Sequence, residues 1–390
     1  MDRLPAWVEV DLDAFEYNLD RIRESTGKGT DILLVVKADA YGHGAVRISK
    51  FAVEAGVHML GVATLDEGRE LRKAGIETPV LILSPVLPDE MDEVLDSDLA
   101  VTVSSVEFAR AASLAAVRKG RRCTVHIEVD TGMGRAGLDQ DTAVTAIKEI
   151  AALEGLDIEG IYTHFPASDS DFDYTREQIS DFDDMIVGLG KEGLSFRYIH
   201  AANSAAIINF PSSRFNMIRP GLLAYGHYPS IDLKGRIDIL PVMKFKSRLV
   251  LTREMEAGQS ISYGRTFIAP RDMTVGVIGA GYGHGISHRM SNKGFFLFRG
   301  KEVPILGRVT MDMTMIDLSG FESPRVGEEI TIFGRQGESE ISADDVAQWD
   351  GTLNYEVLCR ISKRVVRVYL RSGKIDSLKS LLGVHELEVD

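Results

Sequence analysis

Seven polar side chains sit at or just beyond the ends of apolar runs in the first 220 residues, and their types are those of an enzyme. Lys37 closes the run ILLVVK and is followed by the small-residue loop ADAYGHG. A lysine ending such a run is unusual, because lysine is almost never fully buried without a partner. Desolvation there lowers the proton affinity of the amine and supplies a neutral nucleophile for Schiff-base chemistry; the alternative is a lysine whose amine reaches the rim of the strand. Further along, Asp130 runs into TGMGRAG with Arg135, His164 follows IEGIYT, Asn203 ends YIHAAN with Ser204 next, and Arg219, Pro220 and Gly221 follow MI. Ser204 and the backbone amides around Gly221 and Leu222 offer a phosphate seat. A Schiff-base lysine and a phosphate seat together point to pyridoxal 5'-phosphate. A class I-type aldolase acting on a sugar phosphate would use the same two elements, so these residues alone leave both open.

The elements that must carry these side chains are legible as eight short apolar runs, at 32–37, 59–64, 79–85, 99–105, 123–130, 158–165, 198–203 and 217–226. Several are continuously apolar, which suits parallel strands covered on both faces. Between them AVRISKFAVEAG, LDEGRELRKAG, EFARAASLAAVRKG, DTAVTAIKEIAALEG and TREQISDFDDMIVGLGKEG read as amphipathic helices closed by Gly. This alternation predicts an α/β chain whose residues 1–235 form an N-terminal (β/α)8 TIM-type barrel, with functional groups at the C-terminal ends of its strands. A doubly wound sheet would alternate similarly, but there is no GxGxxG fingerprint. Beyond a boundary near Leu233–Ile239, segments such as MTVGVIGAGYG and EEITIFGRQG are strand-rich with closely spaced turns. Residues 236–390 are therefore expected to form a smaller, mainly β domain, with HELEVD at its end a short strand or frayed tail.

Composition narrows the class. A chain of 390 residues with 44% hydrophobic and 26% charged residues can bury a sizeable core. Lys and Arg number 44 against 58 Asp and Glu, a net charge of −14, and charging all nine His would still leave −5. Capture of nucleic acid or anionic lipid needs a basic face, so neither is expected as a partner. No apolar run reaches the roughly 18 residues of a membrane span, and the opening MDRLPAWVEVDLDAFEYNL lacks the order of a signal peptide, giving a cytoplasmic expectation. Cys123 and Cys359 fit no metal pattern and read as reduced, buried small hydrophobes.

Taken together, VVKADAYGHG, VDTGMGRAG, HAANSAA, IRPGLLAYG, ISYGRTF, GRVTMDMTMID and NYEVLCRISKRVVRVY, in that order, resemble alanine racemase, a fold-type III pyridoxal phosphate enzyme. The resemblance covers nearly the whole chain. It implies that Lys37 holds pyridoxal 5'-phosphate covalently and acts as the base on the D face, while Tyr263 is the base on the L face. Two bases flanking a planar carbanion suffice for racemisation, although a tyrosine must be tuned below its reference pKa near 10 to serve. His164 and Arg219 would link toward Tyr263, and Arg219 would face the cofactor's ring nitrogen. Because arginine only donates, that nitrogen would stay unprotonated, favouring reprotonation over transamination. Phosphate contacts would come from Tyr41, Ser204, Gly221, Leu222 and Tyr355. Arg135 and the Met311 backbone would meet the substrate carboxylate, Asp312 would line the site near Tyr263, and Tyr282 would stand at the corridor. A head-to-tail homodimer with shared sites follows, as does a role in supplying D-alanine for peptidoglycan in a bacterium.

Two departures qualify the resemblance. Glu128 stands where many relatives carry a lysine that becomes carbamylated, and it would supply the negative charge without modification. Gly283 and His284 replace the small residue and acid of the usual GYADG, which leaves open a serine, lysine or broader-specificity racemase. His284 and His288 lack a third ligand, so no metal is expected; His43 reads as a supporting group. A non-catalytic pyridoxal phosphate-binding protein would be a barrel alone, and a fold-related decarboxylase would not be expected to keep ISYGRTF with Arg219.

Overall fold

Continuously apolar strands need cover on both faces, and here part of that cover comes from closing on one another. In the computed structural model, which describes residues 4–386, the strands Asp31–Val35, Met59–Val62, Val80–Ile82, Ala100–Val103, Cys123–Asp130, Leu156–Tyr162, Tyr198–His200 and Met217–Ile218 pair in parallel in chain order. The eighth returns to pair with the first, so the sheet is a closed barrel. Each of the eight apolar runs overlaps one of these strands.

The helices Ala45–Glu54, Leu65–Lys73, Val106–Lys119, Ala143–Ala151 and Phe172–Lys191 fall where amphipathic periodicity predicts them. Their ends follow capping chemistry. Thr64 accepts from the Glu67 amide in a capping box, Ser105 accepts from Phe108, and Gly120 ends its helix at φ 62. Short helices at Met91–Asp96 and Ser204–Asn209 carry too few turns to show a period.

The chain divides into two compact units. One, Glu16–Ala40 with Ala45–Leu240, holds the barrel; the other gathers the chain before Glu16, Tyr41–Gly44, and everything from Pro241 onward. The expected division near 233–239 thus falls at 240–241, and two pieces of the N-terminal part lie with the β-rich unit. For the first piece the reason is the strand Ala6–Asp11, which pairs antiparallel with Met243–Met255 and parallel with Val366–Arg371. Its ladder partners lie more than 200 residues away in sequence, so nothing local reveals it. The sheet continues outward through Glu329–Gln336 and Phe295–Phe298 on one side and Lys374–Ser380 and Gly383–Glu386 on the other. Of HELEVD, the first two residues belong to that last strand and the final four lie outside the described residues.

The β-rich unit packs Trp7, Val8, Val10, Phe245, Phe296 and Phe298 in its interior together with Arg367. Arg367 donates from Nε to the Gly42 carbonyl at 3.1 Å, from Nη1 to Ser362 and Val365, and from Nη2 to Ile361 at 2.9 Å. A buried guanidinium whose donors meet carbonyls avoids the cost of an unpaired charge and staples the 361–366 turn beside Gly42. Cys123 is buried, its thiol pushed up to about 12 by desolvation. Cys359 departs from expectation and is exposed. It ends the helix Asn354–Cys359, whose inward face is carried by Asn354, Val357 and Leu358.

Candidate active site

The first barrel strand does not run into its helix directly. Lys37–Tyr41 forms a tight turn in which Ala38, Asp39, Ala40 and Tyr41 all have positive φ, between 51° and 55°. A left-handed turn of L-residues costs roughly 1–2 kcal/mol per residue and persists only where its surroundings hold it. Here the Ala38 amide donates to Glu67 Oε1 at 2.7 Å, the Ala40 amide to the Val36 carbonyl at 2.8 Å, and the Ala45 amide to Asp39 Oδ1 at 2.8 Å. At the end of the turn His43 Nδ1 lies 2.9 Å from the Tyr41 carbonyl, a supporting contact. Lys37 heads this held turn and is partly buried.

Arg219 follows the eighth strand and is 4% exposed. Its Nη1 donates to the carbonyl and Nδ1 of His200 at 2.8 and 2.9 Å; its Nη2 reaches the Thr163 and Ala201 carbonyls at 2.8 and 3.0 Å and His164 Nδ1 at 3.1 Å. None of these contacts uses Nε. Burial lowers the guanidinium to about 10, still cationic at neutral pH. His164 is held well below the usual imidazole range by desolvation, then by the charges of Arg219, Arg135 and Lys37, so it is neutral. Lys37 and Arg135 thus lie within electrostatic reach of His164.

Behind Arg219 the barrel is filled with polar groups. Tyr162 stacks on His200 with centroids 4.8 Å apart, and the Arg219 guanidinium lies 5.1 Å from the centre of its ring. Glu128 is buried, with Ser104 Oγ 3.3 Å from Oε2, so it does not face solvent. Desolvation raises its carboxyl, opposed by the charges of Arg135 and Arg219. Ser204 Oγ accepts from the amides of Gly221 and Leu223 at 3.1 and 3.3 Å, which ties the loops after the seventh and eighth strands together beside Leu222. Lys37, Arg135, His164, Ser204, Arg219, Gly221 and Leu222 therefore share the C-terminal face of one barrel.

The remaining candidates lie in the β-rich unit. Tyr41 is buried against Tyr355, with ring centroids 6.2 Å apart and planes at 51°, and burial raises its hydroxyl. The amides of Tyr282 and Gly283 donate to the carbonyls of Thr310 and Met311 at 2.9 and 2.8 Å, joining two loops that carry Tyr282, Met311 and Asp312. Asp312 accepts from Arg364 at 2.8 Å. A Cβ on Gly283 would fall 2.5 Å from Arg364 Nη1, so the glycine of the departed motif makes room for that arginine. His284 is buried, its Nδ1 accepting from the Gly281 amide at 3.3 Å, and burial followed by Arg364 lowers its proton affinity. His288 Nδ1 faces the Val309 carbonyl. Among the described residues no group of three His, Cys, Asp or Glu side chains is arranged for a metal ion. Tyr263 is 71% exposed, on a turn where Ser262 Oγ donates to the Arg308 carbonyl at 2.6 Å.

Sequence reading passed over His126, Tyr162 and His200. Their signal is present as polar or hydroxyl-bearing side chains inside the apolar runs CTVHIEVD, IEGIYT and YIH, where a barrel interior ordinarily holds branched aliphatics.

Comparison with known proteins follows the same outline. Residues 10–229 match the family model for the N-terminal domain of alanine racemase, and residues 242–369 match that for its C-terminal domain. "Alanine racemase 2" of Caldanaerobacter subterraneus subsp. tengcongensis is 42% identical over 97% of this chain and 98% of its own. A solved alanine racemase of Clostridium difficile superposes with a TM-score of 0.93 at 36% identity, covering 97% of this chain and 98% of that one. A histidine racemase of Leuconostoc mesenteroides subsp. sake gives 0.86 at 26% identity, covering 95% and 99%. No helix among the described residues is long and apolar enough to cross a membrane.

Proposed function

This chain belongs to the alanine racemase family and is an isomerase; from that premise we propose that it interconverts L- and D-alanine with pyridoxal 5'-phosphate, by two bases on opposite faces of the α-carbon. The observation that carries the reading is Arg219. Its Nη donors are spent on protein acceptors, leaving Nε–H as the donor for a group in the barrel mouth. A donor that cannot lose its proton suits an unprotonated ring nitrogen, and the Ser204–Gly221–Leu222 seat suits a phosphate, so the residues present fit this cofactor. When bound, the cofactor supplies a sink for the electrons left at the α-carbon.

The chain's own groups do the rest. Lys37 anchors the cofactor and carries the proton on one face; Tyr263 of the partner subunit carries it on the other. Neutral His164 accepts from Arg219 at Nδ1 and so presents an Nε2–H toward the mouth. Tyr41, Ser204, Gly221, Leu222 and Tyr355 bind phosphate, while Arg135 and the Met311 amide bind the substrate carboxylate, flanked by Asp312 and Tyr282. The active form is a head-to-tail homodimer of the cytoplasm, and in a bacterium its product serves peptidoglycan. Gly283 and His284 favour a second reading, a racemase of other amino acids, to which the fold shared with a histidine racemase lends weight.

Incubating protein and cofactor with L-alanine in deuterated water tests the proposal, with α-proton loss and enantiomer composition followed together. Deuterated product of both hands is expected. Exchange without inversion would leave one face without a working base and reject Tyr263. No exchange with alanine, but exchange with another amino acid, would establish the second reading.

A further inference from the structure

Arg219 does not end at His200. His200 Nε2 lies 2.8 Å from His126 Nδ1, and His126 Nε2 lies 3.5 Å from Glu159 Oε2. Both imidazoles are fully buried. Glu159 stands midway along the sixth strand and lines a polar cavity with Arg72, Glu77, Asp98 and Arg122 where the third, fourth and fifth strands begin, opposite the candidate site.

The direction of this row is dictated at one end. A guanidinium only donates, so His200 Nδ1 must accept from Arg219 and its proton sits on Nε2. That proton points at His126 Nδ1, which must accept in turn, leaving the His126 proton on Nε2 on the side of the Glu159 carboxylate, a charge contact at 3.5 Å rather than a hydrogen bond. Both imidazoles stay neutral because burial lowers their proton affinity. The arrangement needs a specific neighbour: His126 pairs in register with Gly160, and a Cβ there would fall 2.4 Å from His126 Nδ1. Glu159 is anchored from outside by Arg197 at 3.0 Å.

We propose that Glu159 is a positioning residue for Arg219, acting through His126 and His200 across the barrel. Its charge orients and polarises the row, as a carboxylate behind a histidine does when it sets tautomer and ring orientation. Arg219 is thereby held with Nε toward the mouth. The kinetic consequence rests on the racemase reading; the tautomers do not.

The first readout is therefore spectroscopic and needs no variant. In the holoenzyme labelled with 15N-histidine, His126 and His200 are expected to carry their protons on Nε2 throughout pH 6–9; a proton on Nδ1 of either would overturn the proposal. Glu159→Gln should shift the His126 Nε2–H resonance upfield. It should also lower kcat about threefold to tenfold with KM within about twofold, and raise the share of turnovers ending in transamination. Glu159→Asp should recover part of this, whereas Gly160→Ala, which displaces His126, should match the Gln variant. An unmoved resonance, unchanged kcat, or a loss confined to thermal stability in a folded Glu159→Gln protein would sink the idea. Native Nε2 tautomers in a chain that racemises nothing would reject the functional reading and leave the oriented row standing.

Discussion

At the scale of single residues, the proposed chemistry assigns the electronic character of the site to Arg219, which His200 and His126 back in turn. If the arginine keeps a ring nitrogen unprotonated, Arg219→Glu restores a protonating carboxylate, and transamination should rise relative to racemisation. Counting keto-acid product per enantiomer turnover checks this, and an unchanged ratio would refute the electronic argument. His126 and His200 make a second prediction. Their folded pKa values lie below the unfolded value near 6.5, so the stability they contribute is fully present above that pH and is lost as pH falls toward the folded values. Each adds roughly 1.4 kcal/mol per pH unit to the slope of stability against pH over that window. Glu128, raised by burial, acts in the opposite sense above the ordinary carboxylate range. The difference between wild type and His126→Asn isolates the histidine: below pH 6.5, urea unfolding should show the variant losing stability less steeply than wild type as pH falls.

Among the elements, the left-handed turn after the first barrel strand carries the largest local cost and the lysine on which the proposed chemistry depends. Asp39 is the side chain that ties it to the next helix through the Ala45 amide. Asp39→Ala removes that acceptor and should destabilise the chain by about 1–2 kcal/mol, at the upper end for a lost cap. Because Lys37 heads the turn, cofactor retention on dialysis should fall with it. Unchanged retention at reduced stability would show that the turn serves the fold and not the lysine. The eight strands and five long helices are legible because each has its own period and stop signal. The turn is not, since KADAY contains no glycine and only tertiary contacts force Ala38 through Tyr41 into positive φ. Ala6–Asp11 escapes for a different reason, its ladder partners lying at the far end of the chain.

For the molecule as a whole, the proposed site draws Lys37 from one subunit and Tyr263 from the other, and mixing tests that directly. Lys37→Ala and Tyr263→Phe chains should each be inactive as homodimers, with the Tyr263→Phe protein still binding cofactor. After denaturation and joint refolding in equal amounts, half of the dimers are mixed and each mixed dimer has one site with both groups intact, so about a quarter of wild-type activity should return. No recovery, with mixed dimers demonstrated by mass, would place both bases within one chain. The net charge of −14 predicts an anionic surface that gives nucleic acid no footing.

The sequence alone determined the barrel and the β-rich companion; it offered Lys37, Arg135, His164, Ser204 and Arg219 as candidates from the ends of apolar runs, and the candidates of the β-rich unit only through the resemblance. Periodicity is a local property, and side chains that end apolar runs must emerge at the mouth of any parallel barrel. Tertiary structure alone decided which groups meet: that Arg219 spends its Nη donors on His164, His200 and two further carbonyls, that Glu128 is buried, that Cys359 is not, and that His126 reaches Glu159 past a glycine. Those contacts join strands separated by tens of residues, and hydrogen-bond direction and desolvation depend on the atoms a group faces, which no spacing along the chain encodes.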